Sequence, residues 1–202
     1  MTHNTHRAVF LDRDGTINHD FGYISNPDNF ELIHGVRAAL HLLQEVNFKL
    51  FVVSNQSGVG RGIFTKKDLE NVTKKMEDEL AKGDVIMGDI KYCLHDPKDS
   101  CKCRKPSAKL VKDIVKKHHI KLSESYFIGD KMLDVETGKN AGCKTILILP
   151  EDDVVNDDQE MPGEDEWISP DFVAEDLCHA VEWILKDSNL LAKLKEAIMK
   201  ES

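Results

Sequence analysis

No apolar run in the 202-residue chain approaches the roughly 20 residues that a helix needs to span a bilayer. The polar start, Met1 to Arg7, lacks the apolar stretch of a secretory signal. Membrane insertion and secretion are both set aside, and the expected compartment is the cytoplasm. Basic charge is also in short supply. Twenty-seven Lys and Arg stand against 36 Asp and Glu, a formal charge of −9, which is a poor footprint for gripping a polyanion by counterion release. Nucleic acid and anionic membranes are therefore not expected partners. The sequence has no internal repeat and no insertion between Thr16 and the second predicted strand large enough for a folded cap domain. A pocket in this protein should be fairly open, and a monomer is expected.

With 41% hydrophobic and 31% charged residues, the composition is that of a globular protein able to build its own core. Short apolar runs at Ala8–Leu11, Lys49–Val53, Ile90–Cys93, Ser125–Ile128 and Lys144–Leu149 read as buried strands. Helical spacing runs between them through Val36, Ala39, Leu40, Leu43 and Val46, through Leu69, Val72, Met76 and Leu80, and through Leu110, Val111, Ile114 and Val115. Strand alternating with helix predicts an α/β fold with a Rossmann-like parallel sheet and helices on both faces. Thr65 with Asp68 reads as a capping box, and Ser107 as the start of the third helix. Residues 1–150 are expected to form the core. Residues 151–202 would add an acidic connection, Glu151 to Glu166, then helices through Leu177–Leu185 and from about Leu190 to Met199 that pack on the same domain.

Ligands of open parallel sheets sit outside the carboxyl ends of the strands, so the residues that follow each strand come first. The first strand delivers Asp12-Arg13-Asp14-Gly15-Thr16, and both aspartates can face one pocket if the chain bends at the glycine. The second delivers Ser54-Asn55-Gln56, and the fourth delivers Gly129-Asp130, with Asp134 four residues on. Arg104-Lys105-Pro106 opens a helix between them. Carboxylates for a hard cation, a hydroxyl and fixed positive charges are what phosphoryl transfer requires, and Mg²⁺ suits such an oxygen set. Arg61, Arg104, Lys105 and Lys131 are the cations available to make a local positive field.

Cys93, His95, Cys101 and Cys103 offer four ligands within eleven residues, enough to close a tetrahedron around Zn²⁺ with no open position. A closed site is structural, and its service would be to fix Arg104 and Lys105, which follow directly. The alternative is a reduced cysteine-rich loop without metal. Cys143 and Cys178 read as core residues. His19, in the loop after the first motif, is a candidate substrate contact, and the remaining histidines read as structural or surface.

The four segments Asp12–Thr16, Ser54–Gln56, Lys105-Pro106 and Gly129-Asp130 with Asp134 resemble the four motifs of the haloacid dehalogenase superfamily, over roughly residues 7 to 150. The resemblance implies that Asp12 is the nucleophile, forming an aspartyl-phosphate, and that Asp14 is the general acid/base. It implies that Ser54 and Lys105 hold the transferred phosphoryl group. Mg²⁺ would be bound by the Asp12 carboxylate, the Asp14 carbonyl and Asp130, with Asp134 supporting from behind.

A closer resemblance, to the bacterial heptose bisphosphate phosphatases, rests on Ile17–Tyr23, Ser54–Gly62 and the Cys93–Pro106 segment. It implies a phosphorylated sugar as substrate, with heptose 1-phosphate made for the nucleotide-activated heptose of surface glycans such as lipopolysaccharide core. Arg104 would recognise the phosphate that is not cleaved, and Lys131 would lie at the metal and substrate edge. Asn55, Gln56 and Arg61 complete the expected substrate-binding set. Two alternatives stand beside this one. The short gap between His95 and Cys101 also suits a histidinol-phosphate phosphatase. A non-catalytic zinc-stabilised binding module is the other, and it would have no use for Asp12.

Overall fold

The structure is a computed structural model that describes residues 5–150 and 168–191. In chain order its elements are β1 (Arg7–Leu11), α1 (Val36–Glu45), β2 (Phe48–Asn55), α2 (Lys66–Ala81), β3 (Asp89–Cys93), α3 (Lys109–His118), β4 (Tyr126–Gly129), α4 (Met132–Ala141), β5 (Lys144–Ile148), β6 (Phe172–Ala174) and α5 (Leu177–Asp187). The six strands form one parallel sheet in the order β3-β2-β1-β4-β5-β6. This is the predicted parallel α/β architecture. The acidic connection and most of the last predicted helix lie outside the described residues.

The strands read as near-continuous apolar runs because both faces of the sheet are covered. Alternate residues point to opposite sides. Val9, Leu11, Leu50, Val52, Tyr126 and Ile128 join α1, α2 and α5 in one buried cluster. Ala8, Phe10, Phe51, Val53 and Phe127 join α3 and the end of α4 in the other. Phe10 is stacked between Phe51 and Phe127, with ring centroids 5.5 and 6.4 Å away. The Thr65/Asp68 capping box is formed at the start of α2.

Several expectations need correction. The helix after Pro106 begins at Lys109 with Ala108 as its N-cap, although the Ser107 hydroxyl still accepts from the Lys109 N–H at 3.2 Å. Cys178 is exposed rather than core, because it lies on the flank of α5 beside Gly35 and not on the stripe of Leu177, Val181 and Ile184 that faces the sheet. Strand β2 runs on through Ser54 and Asn55, which pair with Tyr92 and Cys93 of β3. The sequence reading also lacked α4 and β6. The buried face of α4 carries Asp134, Thr137 and Gly138 beside Val135 and Ala141, so it shows no apolar stripe. Strand β6 is only three residues long.

The stacked rings generate a stability prediction. Phe10 is fully buried at the centre of its cluster, so Phe10→Ala should lower stability by about 3–5 kcal/mol, the usual cost of emptying an aromatic site. Urea denaturation checks it; a loss below about 1 kcal/mol would mean that the site collapses around the gap.

Candidate active site

The chain crosses from one half of the sheet to the other between β1 and β4, and at such a switch point the loops diverge and leave a crevice. Asp12 follows β1 directly, and its N–H donates to the Ile128 carbonyl of β4 at 2.9 Å. The next turn depends on Gly15. Its φ is +78°, and a Cβ there would stand 2.2 Å from Asp130 Oδ2. Only a residue without a side chain lets the first loop come this close to the carboxylate after β4. The crevice, about 250 Å³ in volume, is lined by Asp12, Asp14, Ser54, Asn55, Gln56, Arg104, Lys105, Lys131 and Asp134, together with Asp20, Gly22, Tyr23, Ser57 and Leu133.

Lys105 is 4% exposed, and its ammonium lies 2.9 Å from Asp12 Oδ1 and in direct contact with Asp134. Burial alone would raise the Asp12 pKa, but the Lys105 charge and donated hydrogen bonds from Ser54 and Lys105 more than offset it, so Asp12 is held below the usual carboxylate range. Burial works against the Lys105 charge too, and Asp12 and Asp134 outweigh it and hold the ammonium protonated. Asp134 has the opposite balance. Burial and the Asp12 charge push it up to about 7. Burial likewise lifts Asp130 to about 6, with Lys131 pulling the other way.

Asn55 clamps the Lys105 loop, accepting from the Lys105 N–H at 3.0 Å. Gln56 donates to Asp14 at 2.8 Å and to Ser54 at 3.2 Å. The Asp14 carboxylate also accepts from Arg13 and Asn18. Lys131 reaches Asp20 at 3.0 Å and Asp130 at 3.5 Å. Arg104 keeps a buried Nη1 without a hydrogen-bond partner.

Two expected contacts lie elsewhere. Arg61 does not line the crevice; it donates to the Tyr23 hydroxyl at 2.5 Å, and Tyr23 forms the wall. His19 is exposed, its ring 5.9 Å from that of Phe21, and it does not line the crevice either. The sequence reading gave no role to Arg13, Asp20 or Ser57. Asp20 and Ser57 lie in the segments that carry the closer resemblance, and Arg13 lies between the two aspartates, but nothing in composition says that an arginine there is buried.

Two clusters can hold cations. Carboxylate oxygens of Asp12, Asp130 and Asp134 lie within 4.8 Å of one another, and Asp130 Oδ1 is buried with no hydrogen-bond partner. A buried lone oxygen among carboxylates fits a hard cation such as Mg²⁺. Asp134 already accepts from Lys105 and from the Lys131 N–H, which places it behind the ligands. In the second cluster five separations among the Cys93, Cys101 and Cys103 sulfurs and His95 Nδ1 run from 3.2 to 3.7 Å, and ligand atoms of all four residues lie within 4.8 Å of one another. Those gaps are too long for disulfides and close to the edges, about 3.5–3.8 Å, of a tetrahedron with Zn–S of about 2.3 Å and Zn–N of about 2.0 Å. Burial pushes the Cys93 thiol up to about 12, with the neighbouring thiols adding to the rise. A cation in the cluster would reverse that.

The family model described as HAD-hydrolase-like matches residues 102–180. A D-glycero-β-D-manno-heptose-1,7-bisphosphate 7-phosphatase of Helicobacter pylori is 42% identical over 148 residues, covering 72% of this chain and 85% of that one. The Escherichia coli K12 protein of the same name is 36% identical over 201 residues, covering 96% and 94%. The crystal structure of the D,D-heptose 1,7-bisphosphate phosphatase of B. bronchiseptica, complexed with magnesium and phosphate, superposes with a TM-score of 0.75 at 27% identity, covering 90% of this chain and 99% of that one. These likenesses do not favour the histidinol-phosphate alternative. The chain belongs to the D,D-heptose 1,7-bisphosphate phosphatase family of HAD-like hydrolases.

Proposed function

We propose that this protein removes the 7-phosphate of D-glycero-D-manno-heptose 1,7-bisphosphate, leaving heptose 1-phosphate. The observation that carries the proposal is an ionised carboxylate, Asp12, pinned by Lys105 on the floor of a crevice whose wall carries a second, unpaired cation, Arg104. One cationic centre receives the group that is cleaved and the other the group that is kept. The relatives are named for the β anomer, which is therefore the first substrate to test.

Asp12 attacks phosphorus in line with the ester oxygen, and the P–O bond to the sugar breaks as Asp14 gives its proton to that oxygen. Water then attacks the aspartyl-phosphate, losing a proton to Asp14, and releases inorganic phosphate with Asp12 restored. Lys105 and the Ser54 hydroxyl hold the equatorial oxygens of the transferred group, where charge accumulates. Mg²⁺, held by the Asp12 carboxylate, the Asp14 carbonyl and Asp130, would supply charge neutralisation at the phosphoryl oxygens. Lys131 stands at the edge beside Asp130, and Asn55 and Gln56 keep Lys105, Ser54 and Asp14 aimed inward. Arg61 acts through Tyr23. Arg104 offers a planar guanidinium to the 1-phosphate.

Cys93, His95, Cys101 and Cys103 would hold Zn²⁺ as a closed structural site. The loop has few apolar residues, so the ion supplies folding energy that packing does not. We place the protein in the cytoplasm, where thiols stay reduced, as a monomer. No described helix is long and apolar enough to cross a membrane.

With Mg²⁺ present, the purified protein should release one phosphate from the β-bisphosphate, with ³¹P NMR showing the 1-phosphate retained. Asp12→Ala should cost about 10⁴-fold or more in kcat. Loss of the 1-phosphate instead, or faster turnover of histidinol phosphate, would defeat the assignment. Arg104→Ala should lower kcat/KM for the bisphosphate by about 10- to 100-fold, the worth of a charge-assisted contact, with little change on a simple monophosphate. Equal losses on both would put Arg104 at the reaction centre. Metal analysis of protein purified without added metal should find one zinc per chain, and Cys101→Ser should lower zinc content and melting temperature together. Wild-type protein without zinc would show the cluster to be a reduced thiol loop.

A further inference from the structure

Arg13 has no part in the chemistry derived above, yet it is the largest fully buried side chain among the described residues. Arginine is rarely buried unless it is paired, because desolvating a guanidinium is costly. Its partner here is Asp14. Arg13 Nε donates to Asp14 Oδ1 at 2.9 Å, and Nη2 lies 2.8 Å from both carboxylate oxygens. Behind it the guanidinium carbon lies 6.0 Å from the centre of the Tyr92 ring, and the Tyr92 hydroxyl lies 3.1 Å from Thr73 Oγ1, which donates to the Leu69 carbonyl. The arginine is therefore backed by β3 and α2.

Asn18 reaches the same carboxylate from another side. Its Nδ2 lies 2.9 Å from Asp14 Oδ1 and also donates to the His19 carbonyl at 2.8 Å. The turn that carries it is tied to Arg13 as well, since the Arg13 carbonyl accepts from the N–H groups of Ile17 and Asn18 at 2.8 and 3.2 Å. An aspartate carboxyl rotates broadly about its last torsion, so a single hydrogen bond leaves its direction open. Donors converging from Arg13 and Asn18, beside the Gln56 amide that donates to Oδ2 at 2.8 Å, close that freedom.

We infer that Arg13 and Asn18 are positioning residues that fix the direction in which Asp14 presents its carboxyl to the leaving oxygen. This rests on the acid/base role proposed for Asp14. Proton delivery depends on reach and alignment, and a misplacement of about 1 Å can cost about 10²-fold. A sugar alkoxide is a poor leaving group and needs the proton. p-Nitrophenolate leaves without one. A loosened Asp14 should therefore slow formation of the aspartyl-phosphate from the sugar phosphate and spare that step for the aryl phosphate. The later attack of water, which also uses Asp14, is common to both substrates, and general damage to the site or the fold would slow the first step on both.

The experiment compares, in single-turnover measurements, the rate of leaving-group release from heptose 1,7-bisphosphate and from p-nitrophenyl phosphate, together with KM, for the parent, Asp14→Asn, Arg13→Lys and Asn18→Ala, with Mg²⁺ present. Arg13→Lys keeps the charge but loses the two-pronged grip. It should lower the rate of leaving-group release from the sugar substrate by about 10- to 100-fold, with KM nearly unchanged and release of p-nitrophenolate within threefold of the parent. Asn18→Ala should move the same ratio in the same direction by a smaller factor. It carries the test if Arg13→Lys does not fold. Equal losses on both substrates, or none on either, overturn the inference. Asp14→Asn separates the two levels. If it shows no preference between leaving groups, the acid/base role itself has failed; if it shows one and the other variants do not, only the positioning role has.

Discussion

The ammonium of Lys105, a residue only 4% exposed, set between the carboxylates of Asp12 and Asp134, is the contact around which this site is arranged. Removing Lys105 would leave two buried carboxylates with no counter-charge between them. One positive charge cannot fully satisfy two negative ones. With burial, the imbalance falls on Asp134, whose pKa rises, while Asp12 stays ionised. That division suits a reaction that needs a carboxylate ready to attack before any substrate arrives.

Holding the three groups together requires long-range structure. Asp12 comes from the end of β1, Lys105 from the loop before α3 and Asp134 from the first turn of α4. Asn55 at the end of β2 fixes the Lys105 backbone, and Gly15 allows the first loop to close on Asp130. The cysteine cluster extends the same scaffold, because Cys93 is the last residue of β3 and Cys103 precedes Arg104 by one position. The neighbouring loop depends on it too: a Cβ at Gly60 would come within 2.5 Å of the backbone at Leu94 and Asp96. One ion in that cluster would therefore organise both the Arg104 loop and the loop carrying Arg61, which holds the Tyr23 wall.

The strand ends carry crevice-lining side chains whose identity can be read directly, and the sequence by itself determined that much. An aspartate pair after an apolar run, a serine at the end of the next and Gly-Asp after a third are local patterns. Apolar periodicity is local too, which is why the parallel sheet, four of the five helices and the α2 capping box were legible beforehand. Metal-ligand spacing at Cys93, His95, Cys101 and Cys103 belongs to the same class of signal. Tertiary structure alone decided what depends on partners distant in sequence. Helix α4 hides because its buried face carries an aspartate, a threonine and a glycine, and Cys178 faces away from the core because of its angle on α5. Arg61 reaches the site only through a tyrosine 38 positions earlier. The burial of Arg13 against Asp14 and Tyr92 depends on where β3 passes, since an arginine's solvation is set by the elements packed over it and not by its neighbours in the chain.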